Sequence, residues 1–289
     1  MPYLLLLPAL VPVVVGLGYP LVRQLVLSFQ EYGLAQQFGR PAEWVGLDNY
    51  TTLLTDPYVW TVIARSVAFC LVNAALTMVV GMALAVLMAR VGRAARMVLQ
   101  VCLLLAWGTP VLATMTVWQW LFDSQYGVIN WLLAEPLGLE AMRGHSWIIE
   151  PLSFYFVATV IVVWMSVPFV VLTVYAGLLQ VPTETMEAAQ LDGANAWQRF
   201  RRITLPMVRP VLSVVLLLQV IWDLRVFTQI HVLQRAGAPT RETHLLGTYI
   251  YSLADTFSMA GAMATIMLVL TLALTTFYIR RMLREEGDL

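Results

Sequence analysis

Six long runs of apolar residues alternate with shorter polar segments along this chain. A helix needs about 20 mostly apolar residues to cross the hydrocarbon core of a bilayer. Runs near residues 3–27, 60–88, 97–120, 152–179, 211–233 and 259–279 reach that length. The pattern predicts an all-α integral membrane protein of six transmembrane helices, forming a single transmembrane domain over residues 1–289. The first run is too long for a signal peptide, lacks a basic leader, and is expected to be retained as a span. Pro168 lies inside the fourth run and predicts a bend, because proline leaves a backbone carbonyl without its donor. Trp118, Trp120 and Phe122 close the third run with side chains suited to a water–lipid interface.

The polar segments are unequal. Residues 30–58, 123–150 and 234–256 read as turn-rich loops. Residues 182–206 read instead as helix, tight turn, helix. Pro182 suits a helix start, and Glu184 and Glu187 place negative charge in the first turns, where the helix dipole favours it. Ala188 and Ala189 make a small face that lets another backbone approach. Gly193 can take the left-handed conformation that ends a helix. Asn195 and Gln198 have the spacing of a capping box for a second helix, which Leu205-Pro206 is expected to end. Such a hairpin could anchor the bundle at the membrane surface, or it could fit a socket on another protein. The small face and the glutamates suit the socket better.

Composition narrows the chemistry. The chain is 60% hydrophobic, 12% charged and formally neutral, so no strong field points to nucleic acid. Every basic residue is arginine. Without lysine there is no Walker A phosphate loop and no Schiff base; ATP hydrolysis would have to occur on another polypeptide. Cys70 and Cys102 lie in apolar runs, and His145, His231 and His244 are scattered, so neither a catalytic constellation nor a metal site is expected. Ten arginines fall in the turn at 90–96, the hairpin segment and the C-terminal tail, against four in the opposite loops. That bias predicts a cytoplasmic hairpin and both termini in the cytoplasm. No internal repeat is visible, which weighs against an inverted-repeat secondary transporter working without ATP.

The residues Glu187-Ala188-Ala189, Asp192-Gly193-Ala194 and Ile203-Thr204-Leu205-Pro206 resemble the EAA motif of ABC importer permeases, E-A-A-x-x-D-G-A followed by I-x-L-P. The resemblance extends along the chain. Leu6-Leu7-Pro8-Ala9 with Tyr19-Pro20 resembles the family's first span. Trp44-Val45-Gly46-Leu47-Asp48-Asn49-Tyr50 and Tyr126-Gly127-Val128-Ile129-Asn130 resemble its outer loops. Pro168-Phe169 and Ala176-Gly177-Leu178 are similar to the fourth span. The branch it resembles is the carbohydrate importers of maltose and glycerol-phosphate type.

The resemblance implies that the hairpin is a coupling helix seated in an ATPase subunit. Glu187 would be its charged contact, Ala188, Ala189 and Gly193 its close fit, and Asp192, Leu205 and Pro206 the rest of the motif. It implies as partners a second homologous permease, two ATP-binding cassette subunits and an extracytoplasmic solute-binding protein. ATP and magnesium would be held by the ATPase subunits, and no cofactor by this chain. The location implied is the cell inner membrane and the cargo a sugar, with a polyol phosphate or another small polar solute as the alternative. Two features depart from the pattern. Only two uncharged residues precede the first run where relatives have a basic tail, so a shortened start is expected. Residues 234–239 also replace a glycine-rich loop on the side that meets the binding protein.

The fifth run carries the strongest candidates for a substrate path. At about 100° per residue, Gln219, Trp222, Asp223 and Gln229 fall within an arc of roughly 120° on one helix. Asp223 is expected near the bilayer midplane, where a charge costs about 2.5–3.5 kcal/mol and so should face protein or water. Trp222 beside Asp223 and Gln219 suits a sugar; the competing reading pairs Asp223 with Arg225 or a neighbouring helix as packing. Asn73, Trp164, Thr116, Gln119, Ser166 and Tyr175 are further candidates, each also compatible with helix packing.

Overall fold

A computed structural model describes residue 8 and residues 10–287, with side chains as far as Met282. The part of the first predicted run before Leu10, other than Pro8, lies outside the described residues. Five helices are long and apolar enough to span a membrane, and a sixth span is made if one bent pair is counted as one. The long helices are α1 (Leu10–Ser28), α3 (Pro57–Arg90), α7 (Pro151–Leu178), α10 (Leu205–Leu224) and α13 (Phe257–Gly287). The bent pair is α4 (Arg93–Gly108) and α5 (Val111–Leu121). Shorter helices are α2 (Asp48–Thr55), α6 (Val128–Ala134), α8 (Thr183–Leu191), α9 (Ala196–Arg199), α11 (Thr228–Arg235) and α12 (Leu246–Ser252).

Three features differ from the pattern read along the chain. The third run is not one straight span, since α4 and α5 meet at 102°. Pro110 supplies no N–H and forces the preceding residue out of the helical region; Thr109 sits at φ −73°, ψ 130°. The fourth run, where Pro168 predicted a bend, is an unbroken helix. The fifth run begins earlier than expected and breaks at Arg225–Phe227. Val226 and Phe227 there are β-branched and aromatic, and both lower helix propensity.

The chain divides into two compact units. The first comprises the chain up to Ser66 and His244–Phe277. Its short antiparallel ribbon pairs Gln30 with Trp44 and Glu31 with Glu43. Asn49 ties this ribbon to the end of α1, donating from Nδ2 to the carbonyls of Ser28 and Gln30, both at 2.9 Å. The Ser28 and Tyr50 hydroxyls meet at 2.6 Å. Leu246 N donates to Ser66 Oγ at 2.8 Å, and Tyr58 Oη lies 2.8 Å from His244 Nδ1.

The second unit, Val67–Thr243 with the residues from Tyr278 on, holds a core of Ala85, Met88, Val167, Val170, Val171, Val174, Tyr175 and Val215. Gly81 lets α3 and α7 touch, for a Cβ there would lie 2.5 Å from Val170 Cγ1. In α6, Asn130 repeats the role of Asn49. Its amide donates to the Ser124 and His145 carbonyls at 3.1 and 2.8 Å and accepts from Trp147 Nε1 at 2.6 Å.

His244 gives the first unit a pH dependence. Burial lowers its pKa from the ordinary 6.5, and the nearby Arg65 lowers it further. The unfolded chain therefore takes up this proton first as pH falls. The stability contributed by neutral His244 is complete above about 6.5 and is lost progressively below it. Thermal melts of the detergent-solubilised chain should drop by a few degrees more between neutral and mildly acidic pH than those of a His244→Phe variant. Parallel curves would show that His244 does not titrate on unfolding.

Candidate functional site

The hairpin predicted from residues 182–206 stands out from the bundle. Pro182 caps α8 at its start and Asp192 at its end. Asp192 N, Gly193 N and Ala194 N donate to the carbonyls of Ala188, Gln190 and Ala189 at 3.0, 3.1 and 2.9 Å, closing the helix end. Gly193 sits at φ +80°, a conformation that side-chain-bearing residues rarely take. Asn195 opens α9 with a reciprocal capping box. Gln198 N donates to Asn195 Oδ1 at 2.9 Å, and Asn195 N donates to Gln198 Oε1 at 2.8 Å.

The second helix does not end at Leu205-Pro206 as expected. α9 passes through one π-turn, Phe200–Thr204, directly into α10. Leu205 and Pro206 fall in the first turn of α10, and the wide π-turn leaves room for a proline that cannot donate to a regular ladder. α9 and α10 are thus joined by continuous helix.

α8 has no buried residue. Glu187, Ala188, Asp192 and Gly193 are exposed and Ala189 is half-buried. Two large apolar side chains protrude beside them, Leu191 at 90% exposure and Trp197 at 65%. The hairpin is held by backbone hydrogen bonds, caps and one link to its base, where Thr204 Oγ1 donates to Met186 Sδ at 3.8 Å. A rigid polar hairpin with apolar tips is a shape for docking, since exposed Leu and Trp gain most from being covered.

The substrate-path candidates separate into three groups. Gln219 and Asp223 lie together in α10, 0% and 2% exposed, with Gln219 Nε2 donating to Asp223 Oδ1 at 2.9 Å. Asp223 is therefore paired within its helix, and Arg225, exposed beyond the helix end, is not its partner. Asp223 occupies the last turn of α10. Asn73 is buried in α3, donating to the Phe69 carbonyl at 2.7 Å. One turn earlier, Cys70 Sγ donates to the Val220 carbonyl at 3.4 Å, so this face of α3 lies against α10. Asn73 Oδ1, Gln219 Oε1 and Asp223 Oδ2 are buried without a hydrogen-bond partner.

Trp222 points away from that pair and is 44% exposed. Its ring meets Phe169 edge-on at 5.0 Å, and Phe169 meets Trp107 at 6.0 Å. Trp107 and Phe169 were not among the sequence candidates for the path. The available signal was Trp107 standing just before the Gly108-Thr109-Pro110 break. Trp164 is also exposed but packs on Trp118 at 5.8 Å. Gln229 belongs to α11, beyond the break, so the single arc predicted for it and Gln219 does not exist; its amide contacts Met165 Sδ at 3.6 Å. Among the remaining candidates, Gln119 donates to the Val232 carbonyl at 3.2 Å and Thr116 to that of Leu112 at 3.1 Å. Tyr175 is buried under the Arg96 guanidinium, 5.7 Å away.

Apolar helices of spanning length and a protruding hairpin define a multi-pass membrane permease. Residues 78–284 match the family described as binding-protein-dependent transport system inner membrane component, and the chain belongs to that family. It is 44% identical over 290 residues to the diacetylchitobiose uptake system permease protein DasB of Streptomyces coelicolor, covering 99% of this chain and 88% of the relative. It is 32% identical over 280 residues to the trehalose/maltose transport system permease protein MalF of Thermococcus litoralis, covering 96% and 92%. Among solved structures, a bacterial ABC transporter involved in importing the acidic polysaccharide alginate superimposes with a TM-score of 0.82 at 22% identity, covering 98% and 94% of the two chains. That likeness concerns the fold.

Two outcomes follow from this geometry. Asn195→Ala should cost about 1 kcal/mol of local stability, the usual value of a helix cap, and hydrogen exchange of the α9 amides should quicken while α7 stays protected. Gln219→Leu and Asp223→Leu should each destabilise the purified chain by roughly 1–3 kcal/mol through the orphaned partner. The double variant should cost less than either, because no buried polar group is then left alone. Additive losses would show that the two side chains act separately.

Proposed function

We propose that this chain is one of two permease subunits of an ATP-driven importer for a sugar, most simply a disaccharide or short oligosaccharide. The observation that carries the proposal is the hairpin, whose first helix has no buried residue and carries Glu187, together with its helical continuity into α10. The sugar reading is supported by the relatives, whose names specify diacetylchitobiose and trehalose or maltose. On this reading a separate ATPase pair binds ATP with magnesium and grips the hairpin at Glu187, Ala188, Ala189, Asp192 and Gly193. An extracytoplasmic binding protein delivers the sugar to the opposite face. The arginine bias supports a cytoplasmic hairpin and cytoplasmic termini.

Closure of the ATPase pair would push on α8 and α9, and the continuous helix from α9 would tilt α10 with Leu205 and Pro206 at its base. The exposed rings of Trp222 and Trp107, joined through the half-buried Phe169, would then be the surface that a sugar ring slides across, since sugars stack on aromatic faces. Asp223 and Gln219 lie behind it and position α10. Asn73, Gln229 and Trp164 serve packing on this reading. The chain itself makes and breaks no bonds.

Glu187→Ala in the complete transporter, reconstituted in liposomes, should leave ATP hydrolysis running while sugar uptake falls about tenfold or more, the loss expected when a charged interface contact of about 1.4 kcal/mol or more is removed. Uphill uptake by the purified chain alone would overturn the importer reading. Trp222→Ala should raise the KM for uptake with complex assembly intact. Unchanged uptake kinetics would take Trp222 off the sugar path.

A further inference from the structure

An apolar groove of about 750 Å³ runs along the last turns of α3 to the base of the hairpin. Met78, Met82 and Val86 form one wall, with Trp197, Phe200 and Leu212 opposite. Its volume lies within the roughly 300–1,000 Å³ of sites that hold a small apolar molecule. Arg90 stands at one end. From there a second groove of about 460 Å³ continues, sharing Val86, Arg90, Ala196 and Phe200 and adding Arg199, Thr183 and Thr204. An apolar slot thus opens into a polar one that carries two arginines.

The charge in the polar slot is one-sided. Neither groove has an acidic residue in its lining. Among the described residues no carboxylate pairs with Arg90 or Arg199. Arg199 is nonetheless half-buried. The nearby Arg96 is occupied, donating from Nε to the Met88 carbonyl and from Nη2 to that of Val91, both at 3.0 Å. Arg90, which is exposed, and the half-buried Arg199 line one groove that has no acidic residue in its lining, and such a pair suits an anion. The apolar slot beside them calls for a hydrocarbon tail.

We propose that this double groove binds an anionic phospholipid, with an acyl chain along Met78, Met82 and Val86 and the headgroup phosphate between Arg90 and Arg199. A phospholipid carries both chemistries on one molecule, and it is the solvent around a spanning helix such as α3. Arginine suits a phosphate better than a point charge would, because its planar fork donates two hydrogen bonds at once. The headgroup would join α3 to α9 and steady the base of the hairpin. That last consequence rests on the coupling function proposed above, whereas the binding does not.

The test uses native mass spectrometry of the purified full chain, with phosphatidylglycerol and phosphatidylcholine added in equal amounts. The wild-type chain should retain phosphatidylglycerol roughly tenfold over phosphatidylcholine, the order expected of two arginines at a membrane surface. Arg90→Gln with Arg199→Gln should abolish the preference. Ala83→Phe, which fills the apolar slot and keeps both charges, should reduce retention of either lipid. Arg201→Gln with Arg202→Gln alters exposed arginines outside the groove lining and should change nothing. Circular dichroism of each variant checks folding.

Equal retention of the two lipids by the wild type would overturn the proposal, as would an equal loss in the Arg201/Arg202 control, which would mark generic surface charge. Exclusion of phospholipid once the transporter is assembled would reassign the groove to a subunit interface. In the reconstituted transporter, a site that binds lipid while uptake and ATP hydrolysis ignore it would sink the steadying role alone. Failure of Glu187→Ala to uncouple would leave the lipid site standing.

Discussion

A backbone in lipid must satisfy its own hydrogen bonds, and that constraint decides where this chain can bend. Among the described residues, regular α-helix is interrupted at particular places, the first a π-turn at Val14–Gly18 within α1. Pro110 separates α4 from α5, the π-turn at Phe200–Thr204 absorbs the prolines that follow, and the break at Arg225–Phe227 ends α10. Pro168 interrupts nothing, because α7 is packed on both sides of it by the valine-rich core around Val167, Val170 and Val171. The two prolines differ in their neighbours. Gly108 and Thr109 precede Pro110 with weak helix propensity, whereas Pro168 follows a run of packed residues that hold the helix together.

With the bends placed, close packing follows from small residues. Gly81 brings α3 against α7, and Gly177 does the same for α7 and Val211 of the α10 region, where a Cβ would stand 3.2 Å from Val211 Cγ2. Small residues at such crossings let helices gain dispersion contacts that lipid would otherwise supply. The loops use a different device. Asn49 and Asn130 each cross-brace a loop with paired amide bonds to backbone carbonyls. Asn49 and Asn130 thereby fix the backbone of the loops they sit in.

The hairpin obeys neither rule, since it has no core of its own. Its shape comes from Gly193 in the left-handed region, from the Asn195–Gln198 box and from the continuity of α9 with α10. These are local interactions between residues a few positions apart. They hold the hairpin together while leaving Glu187 and Leu191 exposed. The buried Gln219–Asp223 pair has the opposite character, since it is held by α3 across the bundle and is closed to solvent.

Features set by neighbours in sequence were legible from the chain alone. The apolar runs, the caps and turn of the hairpin and the absence of lysine all depend on residue type at short spacing, and they led to a helical membrane protein with a docking hairpin; the resemblance of residues 187–206 to the EAA motif added the permease class. Features set by neighbours in space were not. For Asp223 the sequence left substrate path and helix packing open, and the four-residue step to Gln219 with the packing of α3 encloses it in this chain. Gln229 read as part of that arc because the break at Arg225–Phe227 carries no proline or glycine to announce it. Trp222, Phe169 and Trp107 come from three helices, so no spacing along the chain joins them. Residue type and local spacing therefore determined class and hairpin, while tertiary packing decided which polar and aromatic side chains face outward, because burial depends on the helix that lies opposite.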